Sequence, residues 1–355
     1  MVSHTAYTPI RHAFVTGATG LLGNNLVREL VARGVVVKAL ARNITKAKAQ
    51  LGDLAGVEVV EGDMLDVAGF ADQLVESDVL FHTAAYFRDS YKGGSHWNEL
   101  EKVNVDGTRA LIAAAHASGV RRMVMTSSIA VLDGPRGALI DETMTRDESG
   151  SDDYYRSKIR SDRVVFDALE AHPDFDACFV LPAWMWGPGD AGLTSAAQTA
   201  IDFIKKKLPG VPPSTFSFVD ARDVALAQIA AATRGRRGER YLAAGRFMPL
   251  RELFGHLEKV TGVSAPKTNL PFSLLFVIAA LQEASARLTG KSVLLSWAAV
   301  KSMASQAERT RFSNTKSLSE LGLDFRPVEE TLRDTVAWLQ DNGLAPAVDE
   351  PLYST

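Results

Sequence analysis

Ala13-Phe14-Val15-Thr16-Gly17-Ala18-Thr19-Gly20-Leu21-Leu22-Gly23 is the stretch that decides the fold. Residues 13–16 read as a buried strand, the glycines as a tight turn, and Leu26 onward as an amphipathic helix. Gly17 permits the turn, Gly20 lets backbone N–H groups approach a pyrophosphate, and Gly23 allows the helix to pack closely on the strand. A glycine-rich turn by itself is common and can be merely structural. Strand, turn and helix in this order point to a dinucleotide site, with Thr19, Leu21 and Leu22 completing its backbone.

The same alternation continues outward. Strands are expected at 35–41, 57–61, 79–82, 123–127 and 177–182, with helices at 21–33, 45–51, 68–75, 97–118 and 153–171. Strands separated by helical segments of this length imply parallel β-α-β units, hence an α/β fold with a doubly wound parallel sheet. After Gly187-Pro188-Gly189 the rhythm breaks. Helices are expected at 196–207, 221–232, 250–261, 274–288 and 328–339, and short strands at 216–219 and 241–243. The division is therefore a nucleotide-binding domain over 1–185, to which 215–245 returns, and a smaller, mostly helical substrate lobe over 186–355.

The second strand bears on which nucleotide is bound. An NAD site offers an acid about 20 residues after the turn, to hold the ribose 2′-hydroxyl. Here Val35-Val36-Val37-Lys38-Ala39-Leu40-Ala41 ends at Arg42, with Lys46 and Lys48 following. A guanidinium suits a 2′-phosphate by charge and shape, so NADP(H) is expected ahead of NAD(H). The alternative is that Arg42 only tops a strand in solvent. After the third strand, Asp63 is placed to accept from an adenine amino group beside Met64, and Asp66 is placed to cap the next helix.

Composition removes several function classes. The 355 residues carry a net charge of -3, with 46% apolar and 23% charged side chains, which suits a soluble globular protein and gives nucleic acid no basic surface. Lys205-Lys206-Lys207 reads as a solvated helix end. The single cysteine, Cys178, lies in an apolar run and reads as a buried thiol; no internal disulfide can form. No metal site is expected. The N-terminus shows no basic region followed by an apolar run, and 270–281 is too short to span a bilayer, so a cytoplasmic location is expected. That run reads as a lobe helix buried on one face, with a membrane-surface contact as the alternative.

In Asp153-Tyr154-Tyr155-Arg156-Ser157-Lys158, Tyr154 and Lys158 are four apart and share a helix face. An ammonium beside a phenol favours the phenolate and brings proton exchange towards neutral pH. The spacing is common, and a solvated helix face is its plain alternative. Only Tyr154 has a lysine at i+4, so Tyr155 is read as packing or lining.

Together these pieces resemble an extended short-chain dehydrogenase/reductase of the epimerase/dehydratase type, over nearly the whole chain. The landmarks run in order: the glycine turn, Gly62-Asp63, His82-Thr83-Ala84-Ala85, Asn104-Val105-Asp106-Gly107-Thr108, Thr126-Ser127-Ser128, Tyr154 with Lys158, Pro182 with Gly187-Pro188, and Phe218-Val219-Asp220-Ala221-Arg222-Asp223-Val224-Ala225. Within that group the chain looks most like the dihydroflavonol-4-reductase-like reductases. The resemblance implies a Rossmann sheet, Tyr154 as general acid/base, and Lys158 as modulator of Tyr154 and ligand of the nicotinamide ribose. Ser128 would hydrogen-bond the reacting oxygen; it is preferred to Ser127 because it precedes the small pair Ile129-Ala130, although Ile129 replaces the usual Ala. Asn104 would sit at a helix kink among the catalytic residues. Thr83, Ala84, Ala85 and Pro182 would join the cofactor contacts.

The expected reaction is NADP(H)-dependent reduction of an aldehyde or ketone. The competing reading is a nucleotide-sugar epimerase or dehydratase with tightly held NAD(P), a branch that commonly has Arg where Leu181 stands; a redox sensor without catalysis and oxidation of a steroid-like alcohol are the remaining readings. Tyr86, Phe87 and Tyr91 after the fourth strand, with Trp184, Met185 and Trp186 after the sixth, suggest an aromatic substrate pocket, with core packing as the alternative. The resemblance also implies a homodimer built on helices 97–118 and 153–171.

Overall fold

The computed structural model describes residues 9–87, 96–289 and 297–347. The first half alternates strand and helix: β1 His12–Thr16, α1 Leu21–Ala32, β2 Val36–Ala41, α2 Ile44–Leu51, β3 Val57–Glu61, a 3-10 turn Val67–Leu74, and β4 Val79–His82. A long helix follows in three parts: α3 Trp97–Leu100, a π turn Glu101–Asp106, and α4 Gly107–Ala117. Next come β5 Arg122–Thr126, a 3-10 turn Ile129–Val131, α5 Asp153–Ala171, β6 Asp176–Pro182 and β7 Trp184–Trp186. The remainder is α6 Ser195–Ile204, β8 Thr215–Asp220, α7 Ala221–Arg234, β9 Arg240–Ala243, β10 Arg246–Pro249, α8 Leu250–Thr261, α9 Phe272–Thr289, α10 Trp297–Gln306, α11 Thr315–Leu321 and α12 Val328–Asp341.

Seven strands form one sheet in the order β3-β2-β1-β4-β5-β6-β9, and every neighbouring pair is parallel. The order reverses between β1 and β4, so a crevice opens at their carboxyl ends. The central strands are apolar on both faces, as a sheet covered by helices on both sides requires. Of the returning segment 215–245, α7 and β9 lie on or in this sheet, whereas β8 pairs with β7 and β10 in a separate three-stranded sheet. A second core, built on Trp186, Phe203, Phe218, Phe254 and Leu332, fills the space between that small sheet and α6, α8 and α12.

Three local differences from the sequence reading have physical causes. Segment 68–75 closes as a 3-10 turn capped by Asp66, which accepts from Gly69 N–H at 3.3 Å. Segment 97–118 is helical but not regular: the π turn widens it where the Asn104 amide points inward. The strands β7 and β10 and the helices α10 and α11 were not anticipated. Strands of three or four residues are too short to show a period, and β10 exposes Arg246, Phe247 and Pro249. Lys205, Lys206 and Lys207 are exposed at the end of α6, and Cys178 is buried, its thiol pushed up to about 11 by burial. No helix among the described residues is long and apolar enough to cross a membrane.

The glycine turn is a steric necessity. Gly17 has φ +68, and a Cβ there would lie 2.7 Å from the Ala84 nitrogen at the end of β4. A Cβ on Gly23 would lie 2.2 Å from the Gly17 carbonyl oxygen. Gly23→Ala is therefore expected to destabilise the protein by about 1–3 kcal/mol and to displace α1 from β1. Chemical denaturation of the two proteins measures the loss, and equal midpoints would refute it.

Candidate active site

Helix α1 begins at Gly20 with no side chain capping it, so its first N–H groups face the crevice as an anion site. Gly20 N–H donates to the Gly17 carbonyl at 3.0 Å and closes the turn. Thr19 and Gly20 are accessible, and Leu21, Leu22 and Gly23 are buried against the sheet. Opposite, Asn25 Nδ2 donates to the Pro188 carbonyl at 2.9 Å, which fastens the loop after β7 to α1. These residues form a cradle in which added Cβ atoms would collide, and its shape and uncapped amides fit a dinucleotide pyrophosphate.

At the tip of β2, Arg42 has a side chain 77% exposed and lies 4.0 Å from Asp63, itself 39% exposed. The pair is too exposed to add much stability, and the guanidinium is open to an anion. Asp63 also accepts from Leu65 N–H at 3.0 Å. The Met64 side chain is buried in the main core, so it offers the crevice only its backbone. Thr83, Ala84 and Ala85 leave the end of β4, where Thr83 Oγ1 donates to the Thr16 carbonyl at 2.7 Å; Pro182 is buried at the end of β6.

Helix α5 supplies the central pair. Its N-terminus is fixed by Asp152, which accepts from Tyr155 N–H at 2.9 Å. Tyr154 is partly buried, with the Phe87 ring edge-on at 4.8 Å. Lys158, one turn on, is buried, and its Nζ donates to the Thr126 carbonyl at 2.8 Å. Burial lowers the Lys158 pKa to about 8, opposed by the charge of Asp162. The expectation that lysine holds the phenol below its ordinary pKa is not met by the protein's own groups. Burial dominates and pushes Tyr154 above the usual tyrosine value, with the nearby Ser128 hydroxyl working the other way. Tyr154 is thus protonated throughout the neutral range.

The two serines have different surroundings. Ser127 is buried and donates to Asp162 Oδ2 at 2.9 Å, while Ser128 is partly accessible and accepts from Ala130 N–H at 3.1 Å. Asn104, in the π turn, is buried and fully engaged. Its Oδ1 accepts from Tyr86 N–H at 2.7 Å, and its Nδ2 donates to the Tyr86 carbonyl at 3.1 Å and to Ser157 Oγ at 3.1 Å. That geometry ties the segment after β4 to α5 through one amide. Beneath it, His82 is hydrogen-bonded to Thr16 Oγ1 at 2.7 Å and Thr108 Oγ1 at 3.0 Å. Burial and then the Lys158 charge lower its pKa to about 3, so it is neutral.

Among the aromatic candidates, Tyr86 and Phe87 are half-buried near Tyr154, and Tyr91 lies outside the described residues. Trp184 is half-buried, donating from Nε1 to Ser195 Oγ at 3.0 Å. Trp186 is corrected: it is fully buried, stacked on Phe218 at 5.7 Å, and belongs to the second core rather than to a pocket wall. Asp162 and Arg240, absent from the sequence reading, lie directly behind Lys158; the i+4 spacing of Lys158 and Asp162 was the signal available. One cluster of metal-capable side chains occurs among the described residues, His116, His172 and Asp174, where Asp174 already pairs with Arg121 at 2.9 Å. It lies at the carboxyl ends of α4 and α5, at the sheet edge away from Tyr154.

A family model described as the 3-beta hydroxysteroid dehydrogenase/isomerase family matches residues 14–241. The chain belongs to that family. Its members here are extended short-chain dehydrogenases/reductases, and two curated relatives align over nearly their full length. Sterol demethylase protein B of Methylococcus capsulatus is 36% identical over 334 residues, 93% of this chain and 98% of the relative. A putative dihydroflavonol 4-reductase of Synechocystis is 30% identical over 342 residues, 93% of this chain and 95% of the relative. Among solved structures, that of gox2253 superposes with a TM-score of 0.79 at 31% identity, covering 94% of this chain and 99% of that one. The family accounts for the seven-stranded parallel sheet with its flanking helices.

Replacing each serine separates the two roles. Ser128→Ala is expected to lower turnover on the order of 10²-fold with little change in melting. Ser127→Ala should destabilise the fold by about 1–3 kcal/mol by depriving a buried carboxylate of a donor. Thermal melts and steady-state rates on both variants check the pattern, and the reverse assignment would refute it.

Proposed function

We propose that this chain is an NADP(H)-dependent reductase of aldehydes or ketones carried on an apolar framework. The observation that supports it most is the cluster of Ser128, Tyr154 and Lys158 beside a glycine turn, with Tyr154 held protonated. Arg42 supports the choice of NADP(H), because an exposed guanidinium at the tip of β2 pairs with a 2′-phosphate. The names of the two curated relatives, a putative dihydroflavonol 4-reductase and sterol demethylase protein B, put polycyclic carbonyls in the first panel.

Gly17, Thr19, Gly20, Leu21, Leu22 and Gly23 would hold the pyrophosphate, Arg42 and Asp63 the adenosine end with the Met64 backbone. Thr83, Ala84, Ala85, Lys158 and Pro182 would hold the nicotinamide end. The dinucleotide supplies the hydride. Ser128 and Tyr154 donate hydrogen bonds to the carbonyl oxygen, where negative charge develops as the carbon is reduced. Tyr154 then gives its proton to that oxygen, and the Lys158 ammonium stabilises the phenolate left behind. Asn104 keeps Tyr86 and Phe87 in place against α5.

A panel of carbonyls, including dihydroflavonols and ketosteroids, assayed with NADPH and NADH tests the reading. Consumption of NADPH by at least one carbonyl is expected. Turnover of a nucleotide sugar without added cofactor would replace this reading with the epimerase one. Tyr154→Phe should lose about 10²-fold or more in kcat while still binding NADPH, and a variant within a few-fold of the parent would sink the assignment. Arg42→Gln should raise KM for NADPH roughly tenfold, about 1.4 kcal/mol, and leave NADH nearly unaffected; parallel losses with both would count against a 2′-phosphate site. Lys158 is charged below about 8 and neutral above it, so kcat/KM should fall as pH rises through that value. A flat profile would contradict it.

A further inference from the structure

One turn of α5 beyond Lys158, the Asp162 side chain is 1% exposed and the Lys158 residue 3%. Residues four apart share a helix face, with Cβ atoms about 5–6 Å apart. Asp162 Oδ2 accepts from the Ser127 hydroxyl at 2.9 Å and from Arg240 Nη2 at 3.3 Å, while Oδ1 is buried and has no hydrogen-bond partner. Arg240 reaches in from β9, its guanidinium over the Phe166 and Phe179 rings at 5.0 and 5.8 Å. Thr126, whose carbonyl accepts from the Lys158 ammonium, is followed directly by Ser127, which donates to Asp162, and then by Ser128. One carboxylate therefore touches the strand end that presents the serine and faces the lysine that serves the tyrosine.

The charged and titratable groups around the ammonium come from several elements. Helix α5 brings Asp162 and Tyr154, β4 brings neutral His82, and β9 brings Arg240 through Asp162. The end of β5 offers hydroxyls and a carbonyl, and the π turn offers the Asn104 amide. Asp162 is the one carboxyl group among them; burial raises its pKa, and the Arg240 guanidinium, the Ser127 hydroxyl and the Lys158 charge oppose that rise.

We propose that Asp162 is a positioning residue for the site: its buried carboxylate keeps the Lys158 side chain charged and aligned with Tyr154, and Arg240 makes burial of that carboxylate tolerable. An isolated buried ammonium loses its proton easily, and a carboxylate one turn away opposes the loss. An isolated buried carboxylate is equally unfavourable, and the Arg240 guanidinium offsets it. The lowered Lys158 pKa, with Asp162 as the group acting against burial, agrees with this geometry.

The inference uses the reductase reading for its kinetic assay but can also be tested without it. Asp162→Asn removes the negative charge, so Lys158 should deprotonate at lower pH and the alkaline limb of kcat/KM should move down by on the order of one pH unit. Asp162→Glu should restore much of the parent profile. A folded Asp162→Asn protein with lower activity but an unmoved limb would show a structural role only and overturn the proposal. If that variant does not fold, Asp162→Asn with Arg240→Gln removes both charges together, and a smaller shift in the same downward direction is expected, since the cation next to the carboxylate goes too; an unmoved limb there also overturns it. Lysine side-chain NMR on isotope-labelled protein, with Lys158→Arg assigning the signal, reads the same titration without turnover. A shifted Lys158 titration in a protein that reduces no carbonyl upholds this inference and defeats the reductase reading. Carbonyl turnover with an unshifted titration does the reverse.

Discussion

A buried ammonium constrains more of this molecule than any other single group. Lys158 can be charged inside the protein only if its surroundings replace the water it has lost. The Thr126 carbonyl does part of this and the Asp162 carboxylate another part. Asp162 in turn requires Ser127 and Arg240. Satisfying one side chain thus fixes the relative positions of α5, the end of β5 and β9. The neutrality of His82 follows from the same burial and the same positive charge.

The second constraint is steric and sits at the other end of the crevice. Gly17 and Gly23 bring the turn, α1 and the end of β4 so close that no side chain fits between them. The end of β4 also carries the chain to Tyr86, which Asn104 anchors from the π turn. The irregular helix is therefore what lets one amide bridge the segment that leaves β4 and the helix that carries Tyr154. A regular helix would turn the Asn104 side chain through a different angle.

The parallel sheet was legible from the sequence because its central strands are mostly apolar and its helices are long enough to show their period. The glycine turn, Tyr154, Lys158 and Ser128 were legible because each needs a particular residue type. The small sheet was not, since Trp184–Trp186 and Arg246–Pro249 are too short for a pattern and owe their form to pairing with β8. Trp186 looked like a pocket residue because it follows β6, and only its stacking on Phe218 shows that it faces the second core. The direction of the Tyr154 pKa shift was also hidden, because spacing reveals the neighbouring lysine but not the depth of burial. Asp162 and Arg240 are 78 residues apart, so no local pattern joins them.

That separation also bears on how the protein is made. Strand β9 completes the main sheet from beyond α6, β8 and α7, and its Arg240 is the counter-ion of Asp162. On the ribosome, α5 and its buried charges emerge well before the segment that neutralises them. The first half is therefore not a self-sufficient unit during synthesis, and its last strand and its charge balance arrive together.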